Sequence, residues 1–358
     1  MRIHQAYHER PDAMMQPSDL TLVQMGWRPF FSEQVAAEER NDCQPVRVMS
    51  VHRGMVTVSG EGIEDSISSS LPVPGGAEER PTVGDWLLVD RNTRSLVRIL
   101  DRSSLFKRPA PGDERRVQLI AANVDTLFIV SSCDQDFNIA RLERYLVLAR
   151  DTGVQPVVVL TKADRSPEPE RFVDAARALE PGLRVELING RDPTSAARLA
   201  GYCGLGKTVA LVGSSGVGKS TLVNTLKGSD SIATQAVREG DGKGQHTTTV
   251  REMHRIAGGA NEGGWLVDTP GMRELQMSEV SSGVTEVFDD VTAVALTCRF
   301  ANCTHGSEPG CLVRAAMANG HLDSARFERW RKLAQENADN SATAAVRRNR
   351  SAKAKTKR

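Results

Sequence analysis

The segment GSSGVGKS, residues 213–220, constrains the fold of this chain more than any other stretch. It matches the pattern G-x-x-x-x-G-K-[ST] and lies between an apolar run, TVALV, and a helix-forming run, STLVNTLKG. Glycines let the backbone N–H groups of such a loop surround a phosphate, and the following helix N-terminus adds positive potential. In this context the motif predicts a nucleoside triphosphate site, whereas the motif alone would also fit a glycine-rich turn.

The residue types in and after this loop predict separate roles. Lys219 is expected to reach the β- and γ-phosphates, and the Ser220 hydroxyl is expected to bind Mg²⁺. The other residues expected to contact the nucleotide are Gly213, Ser214, Ser215, Gly216, Val217, Gly218 and Thr221. Downstream, WLVDTPG places Asp268 after an apolar run, where its carboxylate can hold the magnesium shell and Gly271 can offer its N–H to the γ-phosphate.

The run VVVLTKAD resembles the guanine-reading N-K-x-D motif of GTPases. Asp164 is expected to accept hydrogen bonds from the guanine ring N–H and amine, and the Lys162 stem is expected to lie along the base. Thr161 stands where the motif usually has Asn. The same residues would also fit a strand end with solvated charges. The later segment ELINGRDP is a candidate for a further loop on the base side.

The order of these motifs indicates a circular permutation. In ordinary GTPases the base-reading motif follows the phosphate-binding loop, whereas TKAD precedes it here. Ligand contacts in an open α/β sheet lie at the carboxyl ends of its strands, so joining the termini and cutting elsewhere preserves the site. Strand-like runs that alternate with helical stretches support a parallel sheet covered by helices.

The polar segment GKGQHTTTV, residues 242–250, lies between the phosphate-binding loop and D-T-P-G. GTPases place there a mobile segment whose threonine closes on Mg²⁺ and the γ-phosphate. One of Thr247, Thr248 and Thr249 should make this contact, with Thr248 as the candidate. Met272 follows D-T-P-G and cannot orient a water by hydrogen bonding, which predicts slow intrinsic hydrolysis. His246 or a partner would then complete the site, although His246 also fits a surface residue without a catalytic role.

The segment CRFANCTHGSEPGC brings three cysteines and one histidine close together. Cys298, Cys303, His305 and Cys311 supply three thiolates and an imidazole, which fill a tetrahedral Zn²⁺ shell without an open position. We therefore predict one structural zinc ion rather than a catalytic one. Unrelated buried thiols are the alternative, but the polar, Gly- and Pro-containing surroundings are a poor context for core cysteines.

These patterns together predict a multidomain protein. Short β-like runs after about Pro45 favour an N-terminal β-barrel of the OB-fold type, which precedes a central, circularly permuted α/β P-loop GTPase domain and a mostly helical, C-terminal zinc-binding domain. The predicted boundaries are 1–42 for an N-terminal extension, 43–117 for the OB-fold domain, 118–282 for the GTPase domain, 283–340 for the zinc-binding domain and 341–358 for a basic, disordered tail.

Charge and hydropathy limit the location and partners. The last twelve residues carry seven basic side chains, and subtracting these from the net charge of +1 leaves −6 for the rest of the chain. The tail and the barrel suggest contacts with RNA phosphates, while the low aromatic content of 4% argues against extensive base stacking. The chain has neither a secretory signal nor an apolar run long enough for a membrane helix, which predicts a cytoplasmic protein.

The barrel, the permuted motifs and the cysteine cluster together resemble the RsgA/YjeQ family of bacterial GTPases that depend on the small ribosomal subunit. VGDWLLVD, TKAD, GSSGVGKST, HTTT and DTPGMRE occur in the order of that family. The resemblance implies a monomer that binds the small (30S) subunit and its rRNA late in assembly. It also implies GTP hydrolysis to GDP with Mg²⁺, stimulated by the subunit, followed by dissociation.

Two other functions compete with that of a GTP-driven switch. In the first, the protein is an RNA-binding assembly module and the nucleotide mainly stabilises its fold. In the second, it is a P-loop ATPase or kinase that acts on a small molecule, which Lys162 and Asp164 argue against. Stimulation of turnover by ribosomal subunits distinguishes the first alternative from the switch, and competition between nucleotides distinguishes the second.

Overall fold

A computed structural model describes residues 20–52, 54–70, 79–110, 113–228, 251–256, 263–268 and 281–355. The strands are β1 (Cys43–Val51), β2 (Met55–Gly60), β3 (Ile63–Ser68), β4 (Trp86–Asp90), β5 (Leu96–Ile99), β6 (Leu105–Ala110), β7 (Asp113–Ala122), β8 (Thr126–Ser132), β9 (Gln155–Thr161), β10 (Arg184–Leu187), β11 (Thr208–Val212), β12 (Arg251–Arg255) and β13 (Trp265–Asp268). The α-helices are α1 (Pro29–Ser32), α2 (Ala37–Asp42), α3 (Ile139–Asp151), α4 (Glu170–Arg177), α5 (Pro193–Ala196), α6 (Lys219–Lys227), α7 (Ser281–Val287), α8 (Asp289–Leu296), α9 (Leu312–Ala318) and α10 (Ser324–Lys355).

The central domain is built on a mainly parallel sheet. Its strands lie in the order β10-β9-β8-β11-β13-β12, and all neighbouring pairs are parallel except the antiparallel pair β12 and β13. Strands β8 and β11 are buried along their whole length. Continuous apolar runs suit such strands because helices cover both faces of the sheet. The mainly parallel sheet therefore agrees with the alternation of strands and helices that the sequence predicts.

The N-terminal strands form a small antiparallel barrel with a core of its own. They pair in the order β3-β2-β1-β4-β5, and the pairing of β1 with β2 contains a register shift between Val48 and Ser50. The buried core residues are Val46, Val48, Val56, Val58, Ile63, Ile67, Leu87, Val89 and Leu96. This arrangement confirms the predicted barrel.

The barrel and the central sheet are hydrogen-bonded to each other. Strand β12 pairs with β1, where Ser50 lies opposite Glu252. The boundary predicted after residue 117 falls inside β7, which forms a separate hairpin with β6. A local sequence pattern does not reveal the pairing of β12 with β1, because these two strands lie far apart in the chain.

Residues 20–42 pack between these two parts. The side chain of Arg47 is fully buried, and its guanidinium donates to the Met25 carbonyl and, over 2.7 Å, to the Thr208 hydroxyl. Burial lowers the pKa of Arg47 to about 10, so the side chain remains charged near neutral pH. Arg28 pairs with Asp125 at 2.8 Å. The N-terminal segment is therefore an integral part of the fold within its described residues.

The C-terminal region is mostly helical, as predicted, and contains the cysteine cluster between α8 and α9. For residues 341–358 we predicted disorder, but α10 continues through this tail to Lys355. Ala, Arg and Lys have high helix propensity, and the earlier turns of α10 supply the nucleus from which a helix extends. Within the described residues, no helix is both long and apolar enough to cross a membrane.

A charged cluster joins α3 of the central domain to α10. The Glu143 carboxylate is completely buried and accepts hydrogen bonds from Arg329 at 2.6 Å and Arg326 at 3.3 Å. Burial raises the pKa of Glu143 above its usual range, even though the two guanidinium groups lower it. Next to it, Arg144 and Glu336 form a bidentate pair at 2.9 and 2.6 Å. These contacts hold the C-terminal region against α3.

We expect Glu143→Ala to lower the free energy of unfolding by about 3 kcal/mol, because it removes the buried carboxylate that pairs with Arg329, while Arg326 keeps its bonds to Asp290. Glu328→Ala is the matched control. Glu328 is 54% exposed and pairs with Arg331 on the surface of α10, so its loss should cost less than about 1 kcal/mol. Denaturation followed by tryptophan fluorescence measures both. Equal losses in the two variants would contradict a structural role for the buried cluster.

Candidate functional site

The predicted nucleotide residues that the structure describes meet at one edge of the central sheet. Strands β8, β9, β11 and β13 run parallel, so their carboxyl ends lie together. Thr161 ends β9, Gly213 follows β11 and Asp268 ends β13. The base-reading loop, the phosphate-binding loop and the D-T-P-G strand thus converge even though their order along the chain is permuted. This is the edge at which open α/β sheets bind ligands.

The phosphate-binding loop has the backbone conformation that its glycines predict. Gly213, Gly216 and Gly218 have φ values of 143°, 81° and 96°, a region that residues with a Cβ atom rarely adopt. A Cβ atom on Gly213 would lie 2.2 Å from the Val130 carbonyl oxygen. The loop is therefore restricted to glycine at this point by both conformation and space.

Lys219 begins helix α6 and extends into the loop. Its side chain is buried, and Nζ donates to the carbonyl oxygens of Gly213, at 2.8 Å, and Ser214. A buried ammonium group inside a glycine loop at a helix N-terminus is placed to bind an anion. Ser220 and Thr221 follow in the first turn of α6.

The Thr161 hydroxyl connects the base-reading loop to the phosphate-binding loop. It is buried, and it lies 2.5 Å from the Val217 carbonyl oxygen and 3.2 Å from that of Ser131. One hydroxyl has a single proton to donate, so these two carbonyls compete for it. Threonine in place of the usual asparagine therefore still links the two loops.

The next residues of the base-reading motif form a tight turn. Lys162 has left-handed backbone angles, φ 56° and ψ 30°, and Asp164 is exposed in the 3₁₀ helix Ala163–Arg165 that follows. Beside this turn is a cavity of about 400 Å³. It is lined by Ala163, Leu187, Ile188, Asn189, Asp192, Thr194, Ser195 and Arg198. The ELINGRDP segment thus borders the same cavity as Ala163, which lies between Lys162 and Asp164.

One residue of this edge was missed in the sequence analysis. Asp134 follows β8, and its carboxylate accepts a hydrogen bond from Lys162 Nζ at 2.9 Å. Burial raises the pKa of Asp134, but hydrogen bonds from Lys162, from the Ser132 hydroxyl and from the Asp136 N–H lower it further, and the pKa is lower than usual. An acidic residue two positions after the apolar run TLFIVSS was the available signal.

Several predicted residues lie outside the part of the chain that the structure describes. These are His246, Thr247, Thr248, Thr249, Gly271 and Met272. The backbone places Asp268 at the end of β13, next to β11 and the phosphate-binding loop. Ser220 and Asp268 therefore lie at the same sheet edge, and their oxygens are the kind of ligand that Mg²⁺ prefers.

The four predicted zinc ligands form a compact cluster. Their ligand atoms all lie within 4.8 Å of one another. Cys298 Sγ is 4.0 Å from Cys311 Sγ, and His305 Nδ1 is 3.6 and 3.5 Å from these two sulfur atoms. A tetrahedral zinc shell has edges of about 3.8 Å between sulfurs and about 3.5 Å between sulfur and nitrogen. The donor set therefore fits one zinc ion with a closed, structural shell.

Neighbouring side chains orient the histidine of this cluster. His305 has a left-handed backbone with φ 59°, and its ring packs against Phe327 and Trp330 of α10. The Glu308 carboxylate accepts hydrogen bonds from the Thr304 N–H and hydroxyl at 2.8 and 2.6 Å and from the Gly306 N–H at 2.9 Å. These bonds lower the pKa of Glu308 to about 2 and brace the loop on both sides of His305.

The sequence of this chain is similar to those of known proteins. The family model of the RsgA GTPase matches residues 99–278. The small ribosomal subunit biogenesis GTPase RsgA of Mesorhizobium japonicum is 48% identical over 328 residues, which cover 90% of this chain and 92% of the relative. The small ribosomal subunit biogenesis GTPase RsgA 2 of Vibrio vulnificus is 45% identical over 330 residues and covers 92% of both chains.

Two solved structures have a similar fold. YjeQ from Thermotoga maritima aligns with a TM-score of 0.58 and 25% identity, covering 83% of this chain and 99% of that structure. YloQ, described as a circularly permuted GTPase, aligns with a TM-score of 0.55 and 24% identity, covering 83% and 96%. The permuted order of the motifs is therefore accompanied by the matching fold.

Proposed function

This chain belongs to the RsgA GTPase family, and from that premise we propose that it hydrolyses GTP while bound to the small ribosomal subunit during late subunit maturation. GTP hydrolysis to GDP is the reaction, and Mg²⁺ is the ion that accompanies the nucleotide. We further propose that the subunit stimulates hydrolysis and that the protein dissociates afterwards, acting as a monomer in the cytoplasm.

The observation that carries this proposal is the meeting of two loops at one sheet edge. The Thr161 hydroxyl reaches the Val217 carbonyl, which ties the base-reading turn to the loop that encloses Lys219. A nucleotide bound here would contact both loops at once, so the base can be selected while the phosphates are held. Asp164 would read guanine, and Lys219, Ser220, Thr221 and the loop backbone would hold the phosphates.

The residues proposed for magnesium and for hydrolysis complete this edge. Ser220, Asp268 and Thr248 would provide oxygens for the ion, and Gly271 would donate its N–H to the γ-phosphate. His246 remains the proposed group for the attacking water, with the ribosomal subunit as the alternative source of that contact. Such a dependence on a partner would make hydrolysis slow in the free protein.

The C-terminal cluster would have a structural role. Cys298, Cys303, His305 and Cys311 would hold Zn²⁺, which would fix the loop between α8 and α9 rather than supply chemistry. Basic residues of the barrel and of the tail would contact rRNA phosphates through shape and charge, with an affinity that falls as salt increases.

We expect purified small subunits to raise GTP turnover by at least about tenfold and large subunits to leave it unchanged, because docking supplies the missing catalytic contact. Phosphate release measured with and without subunits tests this, with Lys219→Ala subtracting contaminating activity. An increase with both subunits would argue against specific docking. Unchanged turnover in a protein that binds GTP and the small subunit would instead favour the RNA-binding module with a structural nucleotide.

A further inference from the structure

We propose that Asp134 is a positioning residue for guanine nucleotides, holding Lys162 so that its hydrocarbon stem forms one face of the base site. This inference rests on the proposed assignment of Lys162 and Asp164 to the guanine base. Asp134 belongs to neither the phosphate-binding nor the base-reading motif. It lies in the loop that follows β8, the strand between β9 and β11 in the sheet.

The Asp134 carboxylate is itself fixed by its own loop. Its Oδ1 accepts hydrogen bonds from the Ser132 hydroxyl at 2.7 Å and from the Asp136 N–H at 2.9 Å. Its Oδ2 accepts from Lys162 Nζ at 2.9 Å. One oxygen is thus anchored locally while the other holds the lysine, an arrangement that positions the ammonium group rather than merely attracting it.

The backbone of Lys162 is fixed as well. Its left-handed angles, φ 56° and ψ 30°, are uncommon for a residue with a side chain and persist where neighbouring contacts hold them. Thr161 is anchored to the phosphate-binding loop, and the Arg165 N–H donates to the Lys162 carbonyl at 3.0 Å. Both ends of the Lys162 side chain are therefore anchored, which restricts the stem between them.

An ordered lysine stem favours nucleotide binding for an entropic reason. A free lysine side chain loses rotamer entropy when it is ordered, and lysine has more of it to lose than most residues. If Asp134 orders the Lys162 stem in the free protein, that entropy is already lost before the nucleotide binds, so its loss does not weaken binding of the base. The pair is partly exposed, with side-chain exposures of 26% and 33%, so solvent screening limits the effect.

The test is a double-mutant cycle measured with a fluorescent GDP analogue and with GTP. We expect Asp134→Asn to weaken both nucleotides by the same factor, about fivefold, because both carry the base, and to leave kcat at saturating GTP unchanged. In a Lys162→Met background, the same substitution should cause no further loss. Asp136→Asn is the matched control, since Asp136 lies in the same loop, carries the same charge and has an exposed side chain.

Two results would overturn the role of Asp134. One is an Asp134→Asn protein with the affinity of the unmodified chain, while Lys162→Met and Asp164→Asn weaken binding. The other is full additivity of Asp134→Asn and Lys162→Met, which would mean that Asp134 acts through other groups. If Lys162→Met and Asp164→Asn both retain full affinity, the base assignment itself fails and the inference fails with it.

Misfolding of the variant must be distinguished from loss of positioning. Circular dichroism and the thermal midpoint report folding directly. Asp134→Glu retains the negative charge and should recover part of the lost affinity. An Asp134→Glu protein as weak as Asp134→Asn, with both proteins folded, would count against the ion pair as the cause.

Discussion

Lys219→Ala is expected to lower kcat/KM for GTP on the order of a thousandfold, which corresponds to about 4 kcal/mol of transition-state stabilisation. The reason lies in the position of the ammonium group. It is enclosed by the phosphate-binding loop, 2.8 Å from the Gly213 carbonyl oxygen, and the side chain is only 7% exposed. Charge that develops on a transferring phosphoryl group is stabilised strongly at such a site because little water screens it.

The matched control for this substitution is Lys227→Ala. Lys227 is the last residue of α6, so the variant loses the same charge from the opposite end of the same helix, about 12 Å away. Steady-state phosphate release under small-subunit stimulation measures both proteins. We expect Lys227→Ala to retain the activity of the unmodified chain. If kcat/KM of Lys219→Ala is within tenfold of that of the unmodified chain, Lys219 does not bind the phosphates as proposed.

Cys311→Ala is expected to abolish stoichiometric zinc binding and to unfold the loop between α8 and α9. A structural zinc ion contributes on the order of 10 kcal/mol to the folding of a small site, and a missing thiolate opens its closed shell. Cys311 is buried, and its Sγ lies close to both Cys298 and His305. Metal content by mass spectrometry and limited proteolysis of the loop measure the two effects.

Cys203→Ala is the control for this experiment. Cys203 is a buried free thiol outside the cluster, and burial raises its pKa to about 12, so it stays protonated and binds no zinc near neutral pH. Its loss should leave metal content unchanged. The predicted nucleotide site lies at the carboxyl ends of β8, β9, β11 and β13, outside the cysteine cluster. Cys311→Ala should therefore still bind GDP. Full zinc content in Cys311→Ala would show that this residue is not a ligand.

Local contacts explain why the zinc cluster was predicted from the sequence. All four ligands lie between residues 298 and 311, so the chain needs only a short loop to bring them together. The tail shows the limit of the same reasoning. Its charge suggested disorder, whereas the anchored turns of α10 before it and its alanines favour continuation of the helix.

The links between the predicted parts are contacts between residues far apart in the chain. Glu143 and Arg326 are separated by 183 positions, and Thr161 and Val217 by 56. The pairing of β12 with β1 likewise joins two domains that were predicted separately. No spacing rule relates such residues, because their distance is set by how strands and helices pack rather than by the path of the chain.

Short motifs were enough to predict the phosphate-binding loop, the base-reading turn and the metal ligands, and the order of the two loops followed from them. Each of these depends on residue types at short, fixed spacing beside an apolar strand or within one loop, and backbone geometry then places them. The partners of individual side chains became visible only in the fold: Asp134 pairs with Lys162, and Glu143 pairs with arginines of α10. Those partners depend on burial and long-range packing, which a one-dimensional pattern does not contain.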